Sequence, residues 1–120
     1  MKKILLLAAL VIGSGSATWA ADHRVTASDF VFTPSTVNAV VGDTITWVFQ
    51  NGMHTTTSTT VPPHARPWDA PIDSTHLRFR IRLRVAGTYS YHCNFHFAQG
   101  MVGTLTVSAT SPDKAQPDTN

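Results

Sequence analysis

The sequence predicts an all-β protein, a Greek-key β-sandwich or barrel of seven to eight strands. Three observations carry that expectation. No stretch sustains the 3.6-residue spacing of an amphipathic helix. Short runs rich in valine, isoleucine, threonine and aromatic residues recur instead, punctuated by Gly, Pro and Asn. The clearest run alternates strictly, with Leu77, Phe79, Ile81, Leu83 and Val85 on one face and Arg78, Arg80, Arg82 and Arg84 on the other. Several short strands at this spacing bury their apolar faces by closing on one another as a sandwich.

The first twenty residues stand apart. Lys2 and Lys3 precede an apolar stretch from Ile4 to Ile12, which loosens into small residues ending at Ala20. This is the form of a secretory signal peptide. The stretch is too short to cross a bilayer, which takes roughly 20 apolar residues. No later segment is apolar enough either. The mature chain is therefore expected to be exported and soluble, in a bacterial periplasm.

The strands follow in order. Residues 25–27 and 30–32 are short and rich in β-forming residues, and Pro34 interrupts them. Residues 37–41 come next, and Gly42-Asp43 reads as a hairpin-type turn. In the following segment Ile45, Trp47 and Phe49 share a face. Asn51-Gly52 is a second turn signal, and the threonines from Thr55 to Thr60 read as an exposed strand. Residues 61–71 hold four prolines and read as a loop. After the arginine-bearing strand, Gly87 turns the chain, residues 88–93 form a strand, and residues 103–107 close the sheet. Residues 109–120 are polar with Pro112 and Pro117, and a disordered tail is expected there. Residues 21–108 remain as one folded domain, of a size that supports a single core.

Charge and cysteine usage narrow the classes. The whole chain has nine Lys+Arg and seven Asp+Glu, formally +2. Cleavage after Ala20 removes Lys2 and Lys3 and leaves a formally neutral chain, so no nucleic-acid partner is inferred. Cys93 is the lone cysteine. In an oxidising compartment it has no internal disulfide partner, and it must be buried, paired with another chain or bound to metal.

Cys93 also opens a C-x2-H-x4-M run with His96 and Met101. His54, after the Asn51-Gly52 turn, adds a second imidazole. One thiolate, two imidazoles and one thioether are the donors of a blue-copper electron-transfer site, a His2Cys plane with a weak axial Met. Taken singly, a buried cysteine, a surface histidine and a core methionine are ordinary. Their joint spacing is not, because a strand end fixes Cys93 and a returning loop folds three side chains toward one point. Soft sulfur donors suit Cu(I), and imidazole suits Cu(II) as well. Zinc would fit the nitrogen and thiolate donors but cannot change oxidation state.

These residues bring a family into view. The chain resembles the blue-copper cupredoxins of the plastocyanin–amicyanin type. The likeness lies in Phe30-Val31-Phe32-Thr33-Pro34, Gly42-Asp43-Thr44-Ile45-Thr46-Trp47, His54-Thr55, Gly87-Thr88-Tyr89-Ser90-Tyr91-His92-Cys93, and His96 through Met101-Val102-Gly103-Thr104. It covers most of the mature domain. It implies the cupredoxin barrel and one mononuclear type 1 copper on His54, Cys93, His96 and Met101. It further implies a soluble electron carrier, not an enzyme, that meets a transient protein donor and acceptor.

We expect the carrier to be a monomer. The alternative is a periplasmic copper-handling module without electron traffic, which would more often carry exposed Met-rich or His-rich tracts. A copper enzyme would need an open coordination position. The remaining histidines, His23, His64, His76 and His92, form no second cluster and read as solvated.

Two departures from the family pattern matter. Phe95 stands where such loops commonly carry proline, and its backbone N–H is a possible donor to the Cys93 sulfur. Thr55 stands where an asparagine often ties the two ligand loops, and the sequence leaves open whether its hydroxyl makes that tie. Phe97 is a candidate for an apolar patch around His96. The arginine stripe reads either as a solvated face that blocks edge pairing or as a docking face for an acidic partner.

Overall fold

The computed structural model describes residues 20–110. The expected signal peptide and tail lie outside these residues apart from Ala20, Ala109 and Thr110. Nine strands follow in order: β1 Asp22–Ser28, β2 Val31–Thr33, β3 Thr36–Val40, β4 Thr44–Phe49, β5 His54–Thr60, β6 Asp69–Ile72, β7 Arg78–Arg82, β8 Gly87–His92 and β9 Val102–Ser108. One 3₁₀ turn, Phe97–Gln99, lies between the last two. The strands form two sheets, ordered β2-β1-β4-β7 and β3-β9-β8-β5-β6. The all-β sandwich is as expected, with one or two strands more.

The core sits between the sheets. Trp47 is fully buried at its centre. Trp68, Tyr91 and Phe79 surround its ring at centroid distances of 5.5, 5.2 and 6.1 Å. Rings at these separations contribute beyond their buried area. Tyr91 lies across Gly103, its partner in the β8–β9 ladder. A Cβ there would fall inside the tyrosine ring, so only glycine leaves the space. Burial pushes the Tyr91 phenol up to about 12, against a weaker opposing influence of Trp47.

Three local expectations are corrected. Gly42-Asp43 is not a hairpin turn, because β3 and β4 belong to different sheets. Gly42, at φ 104°, instead carries the chain from one sheet to the other. There its N–H donates to Leu83 O at 2.7 Å, and Leu83 N–H donates to Asp43 O at 2.8 Å. The threonine strand β5 is interior, paired with β6 and β8, and its Thr55 and Thr56 are buried. The proline-rich segment contains a strand, β6, with Pro71 inside it. Proline is tolerated because β6 is an edge, where a missing N–H breaks no ladder bond.

The Asp43 side chain ties the N-terminal end of this frame together. It accepts from the Ala21 N–H at 2.9 Å and the Val40 N–H at 3.1 Å, and pairs with the His23 ring at 2.9 Å. Burial alone would raise its carboxyl, but these partners outweigh burial and hold it below the usual range.

Candidate metal centre

The four residues expected at the site come from two segments. His54 opens β5 just after the crossing from the other sheet. Cys93 follows β8, and Met101 precedes β9, so His96 and Met101 lie on the β8–β9 connection. That loop closes on itself. Cys93 N–H donates to Met101 O at 3.1 Å, and Met101 N–H donates to His96 O at 3.2 Å. Gly100 supplies the left-handed residue at the end of the 3₁₀ turn, at φ 89°. Cys93 and Met101 are thereby fixed side by side, both fully buried.

The structure brings His54, Cys93 and His96 into one cluster, their donor atoms all within 4.8 Å of one another. Cys93 Sγ lies 3.9 Å from His54 Nδ1 and 3.6 Å from His96 Nδ1. A trigonal ion with bonds of about 2.3 Å to sulfur and about 2.0 Å to nitrogen separates those atoms by about 3.7 Å. The donor set and its spacing fit one copper ion.

The two imidazoles are held differently. His54 is fully buried, and its outer nitrogen Nε2 bonds to Asn51 O at 2.7 Å. With Nε2–H donating, Nδ1 is left free toward the cluster. The Asn51 turn is itself tied down, since Asp29 N–H donates to Asn51 Oδ1 at 2.9 Å. Gly52 is at φ 87°, and a Cβ there would strike the Asp29 carboxylate and stand 2.7 Å from His54 Nε2. His96 is half-buried and has no hydrogen-bond partner for Nε2 among the described residues. Aromatic packing holds it instead. Phe30 meets it edge-on at 4.7 Å, His54 lies at 5.2 Å and Phe95 at 6.3 Å.

The structure shows that the Thr55 hydroxyl ties the two ligand segments. Its Oγ1 accepts from Asn94 N–H at 2.8 Å, joining the His54 segment to the Cys93 loop. The bond continues as a hydroxyl chain. Thr55 and Thr57 hydroxyls lie 2.9 Å apart, and Thr57 Oγ1 donates to Asp69 Oδ1 at 2.7 Å. That direction leaves the Thr55 proton for Thr57 and its lone pair for Asn94. The Phe95 N–H is not among the hydrogen-bond donors to Cys93 Sγ, contrary to the expectation. Its loop is tied through its neighbours instead, by Asn94 N–H to Thr55 and His96 N–H to Cys93 O at 3.3 Å.

Sequence reasoning missed Phe30, Asn51 and Asp29 as parts of this site. Phe30 has φ 76°, a conformation uncommon for a bulky residue, and nothing in the neighbouring residues signals it. The Asn51-Gly52 turn was legible, but the use of its carbonyl was not.

A buried cysteine sulfur between two imidazoles, at a strand end of a β-sandwich, defines a type 1 copper protein, with one copper ion as cofactor. The comparisons agree. The family described as copper binding proteins, plastocyanin/azurin family, matches residues 20–108, and the chain belongs to it. A plastocyanin from Scenedesmus fuscus is 33% identical over 88 residues, covering 64% of this chain and 86% of that protein. A pseudoazurin from Sinorhizobium meliltoi shares 28% identity at a TM-score of 0.64, over 76% of either chain. An oxidised methionine-to-leucine variant of amicyanin has the same fold, with a TM-score of 0.61 at 22% identity over 72% of this chain and 81% of that one.

Proposed function

We propose that this protein is an exported, monomeric one-electron carrier, in which His54, Cys93, His96 and Met101 hold the copper and residues 21–108 form the carrier domain. One observation carries the reading: the donor cluster is sealed except along the His96 ring. His54, Cys93 and Met101 have no exposed surface. Against the half-buried His96 stand the exposed rings of Phe30 and Phe95, and the exposed Phe97 of the same loop stacks on His92 at 4.9 Å. An apolar collar of that kind suits brief docking of a protein donor and, later, an acceptor.

Bound copper supplies the one-electron couple. The chain's own residues do the rest. Cys93 and Met101 offer soft donors that suit the reduced ion, and the imidazoles suit both states. Asn51 O orients His54, and Thr55 fixes the distance between the two ligand segments. The buried shell excludes water and any substrate from the cluster, which supports a carrier over an enzyme. The leader-like residues 1–20 support export to the periplasm. No helix among the described residues is long and apolar enough to cross a membrane.

The test is the visible spectrum of the Cu(II)-loaded protein. A short copper–thiolate bond gives an intense blue or green band, which Cys93→Ser must abolish. A Cys93→Ser variant with an undiminished band would sink the assignment. Met101→Gln should keep copper and lower the reduction potential, because a harder oxygen donor favours Cu(II). A copper-handling module would surrender its ion to a Cu(I) chelator on reduction. A carrier keeps it through repeated redox cycles.

A further inference from the structure

Strand β7 is the edge of its sheet. It pairs only with β4 and ends the four-stranded sheet. A groove of about 680 Å³ runs beside it, walled by residues 64–68 of the β5–β6 connection, by Asp69 at the start of β6 and by every residue from 79 to 85. Inward and outward residues of β7 alternate, so a groove touching all of them runs along the strand's edge. Trp68, Phe79 and Tyr89 contribute apolar surface to it.

The ladder shows which backbone groups face the groove. Leu77 O accepts from Phe49 N–H, and Leu83 bonds to Gly42 and Asp43, so the odd-numbered residues point toward β4. In an antiparallel pair the alternate residues turn both N–H and C=O the other way. Arg78, Arg80, Arg82 and the next residue in phase, Arg84, therefore offer their backbone groups to the free edge. The same four side chains are exposed, and Arg66 adds a fifth guanidinium from the opposite wall. Among the described residues none of these arginines forms an ion pair. The groove's carboxylate, Asp69, is already engaged by Thr57 and, at 3.4 Å, by the Asn94 side chain.

We propose that the β7 edge binds an extended acidic segment of a partner protein as an added strand. The partner's backbone completes the ladder, and carboxylates at every second residue meet the arginines on the outer face. A second copy of this chain is disfavoured, since it would set arginine against arginine. A nucleic acid or lipid phosphate would use the charges but leave the strand's N–H and C=O groups unpaired. The groove shares no residue with the donor cluster, so the proposal stands whether or not the electron-carrier reading does.

The test uses the full chain loaded with Cu(I) and a fluorescent peptide of about nine residues, enough to span Arg78 to Arg84. Glutamate alternates with threonine in it. Binding should weaken as salt rises. Arg80→Thr with Arg82→Thr should weaken it about tenfold, two exposed ion pairs at about 0.7 kcal/mol each. Thr keeps the strand propensity, and an unchanged visible band after oxidation confirms the fold. The glutamine version of the peptide should bind at least as weakly. N-methylating one of the two alternate sets of peptide amides, with every charge kept, should abolish binding. On complex formation, hydrogen exchange should slow at the amides of Arg78, Arg80 and Arg82. Equal binding by both N-methylated peptides, no effect of the arginine replacements, protection confined to residues around His96, or tighter binding of an oligonucleotide would each overturn the proposal.

Discussion

The two histidines of the cluster sit 5.2 Å apart, centroid to centroid, yet belong to regions built on different principles. Around His54, itself fully buried, the neighbours are fixed by hydrogen bonds: Asn51 O behind the ring, Asp29 behind Asn51, and Gly52 where no side chain fits. Around His96 nothing polar among the described residues restrains the outer nitrogen, and the ring is held by aromatic edges that continue into the exposed surface. The lesson is a division of labour. The β5 side sets the geometry, and the β8–β9 loop sets what the outside can touch.

The sharpest way to break this comparison is to delete each ring. His96→Gly should lose the intense band and recover it in added imidazole, because the vacated position opens to solvent. His54→Gly should lose the band without recovery, because a fully buried site offers no entry. Equal rescue of both would erase the distinction. Next in size, Gly52→Ala should destabilise the protein by about 1–3 kcal/mol, the usual cost of forcing atoms into a filled site. It should shift the visible spectrum as well, whereas Gly103→Ala, similarly costly against Tyr91, should leave the spectrum largely alone. Denaturant titrations and absorption spectra of the two variants make that contrast.

The seam between the regions comes next. Thr55→Val leaves the Asn94 N–H without its acceptor and should cost about 1–3 kcal/mol, with Thr55→Ser near the parent in both stability and spectrum. If valine matches serine in chemical denaturation, the hydroxyl chain holds nothing together. The smallest effect lies far from the cluster. Asp43 has a lowered folded value, so its contribution is fully present above the unfolded carboxylate value of about 4. It is lost as pH falls through the folded one. Asp43→Asn should therefore be less stable near neutrality and show a flatter acid limb. A parallel acid limb in the two proteins would remove Asp43 from the account.

How much of this was legible in the sequence follows from which groups carry it. The alternation around Trp47 and along the arginine strand fixed faces correctly, because side-chain period depends only on the strand being extended. Phe79, Ile81 and Leu83 do face inward. Leu77 and its 57% exposure were not legible, since the sheet ends there. Cys93 and His96 were legible because local spacing constrains a loop, and the structure brings them together with His54. Strand β6 was hidden because proline content argues against strands without saying which ones are edges. The Gly42-Asp43 turn was legible as a turn but not as a sheet crossing, since that depends on where β9 lies, about sixty residues on. The Phe30 conformation, the Asn51 carbonyl and the silent Phe95 N–H are backbone facts, and no side-chain pattern announces them.

Strand β3 runs parallel to β9, pairing Thr36 with Thr104 and Val40 with Ser108. In the five-stranded sheet β9 lies between β3 and β8. A chain made from its N-terminus must therefore leave β3 without a neighbour until nearly the last described residue has been synthesised. Contacts this distant in sequence form late. The loop from Cys93 to Met101 is fastened at the same moment, because β9 anchors its far end. Colour in this protein would then mark a finished chain: a product cut short before Val102 has neither the strand that joins β3 to β8 nor a closed ligand loop, and stays pale.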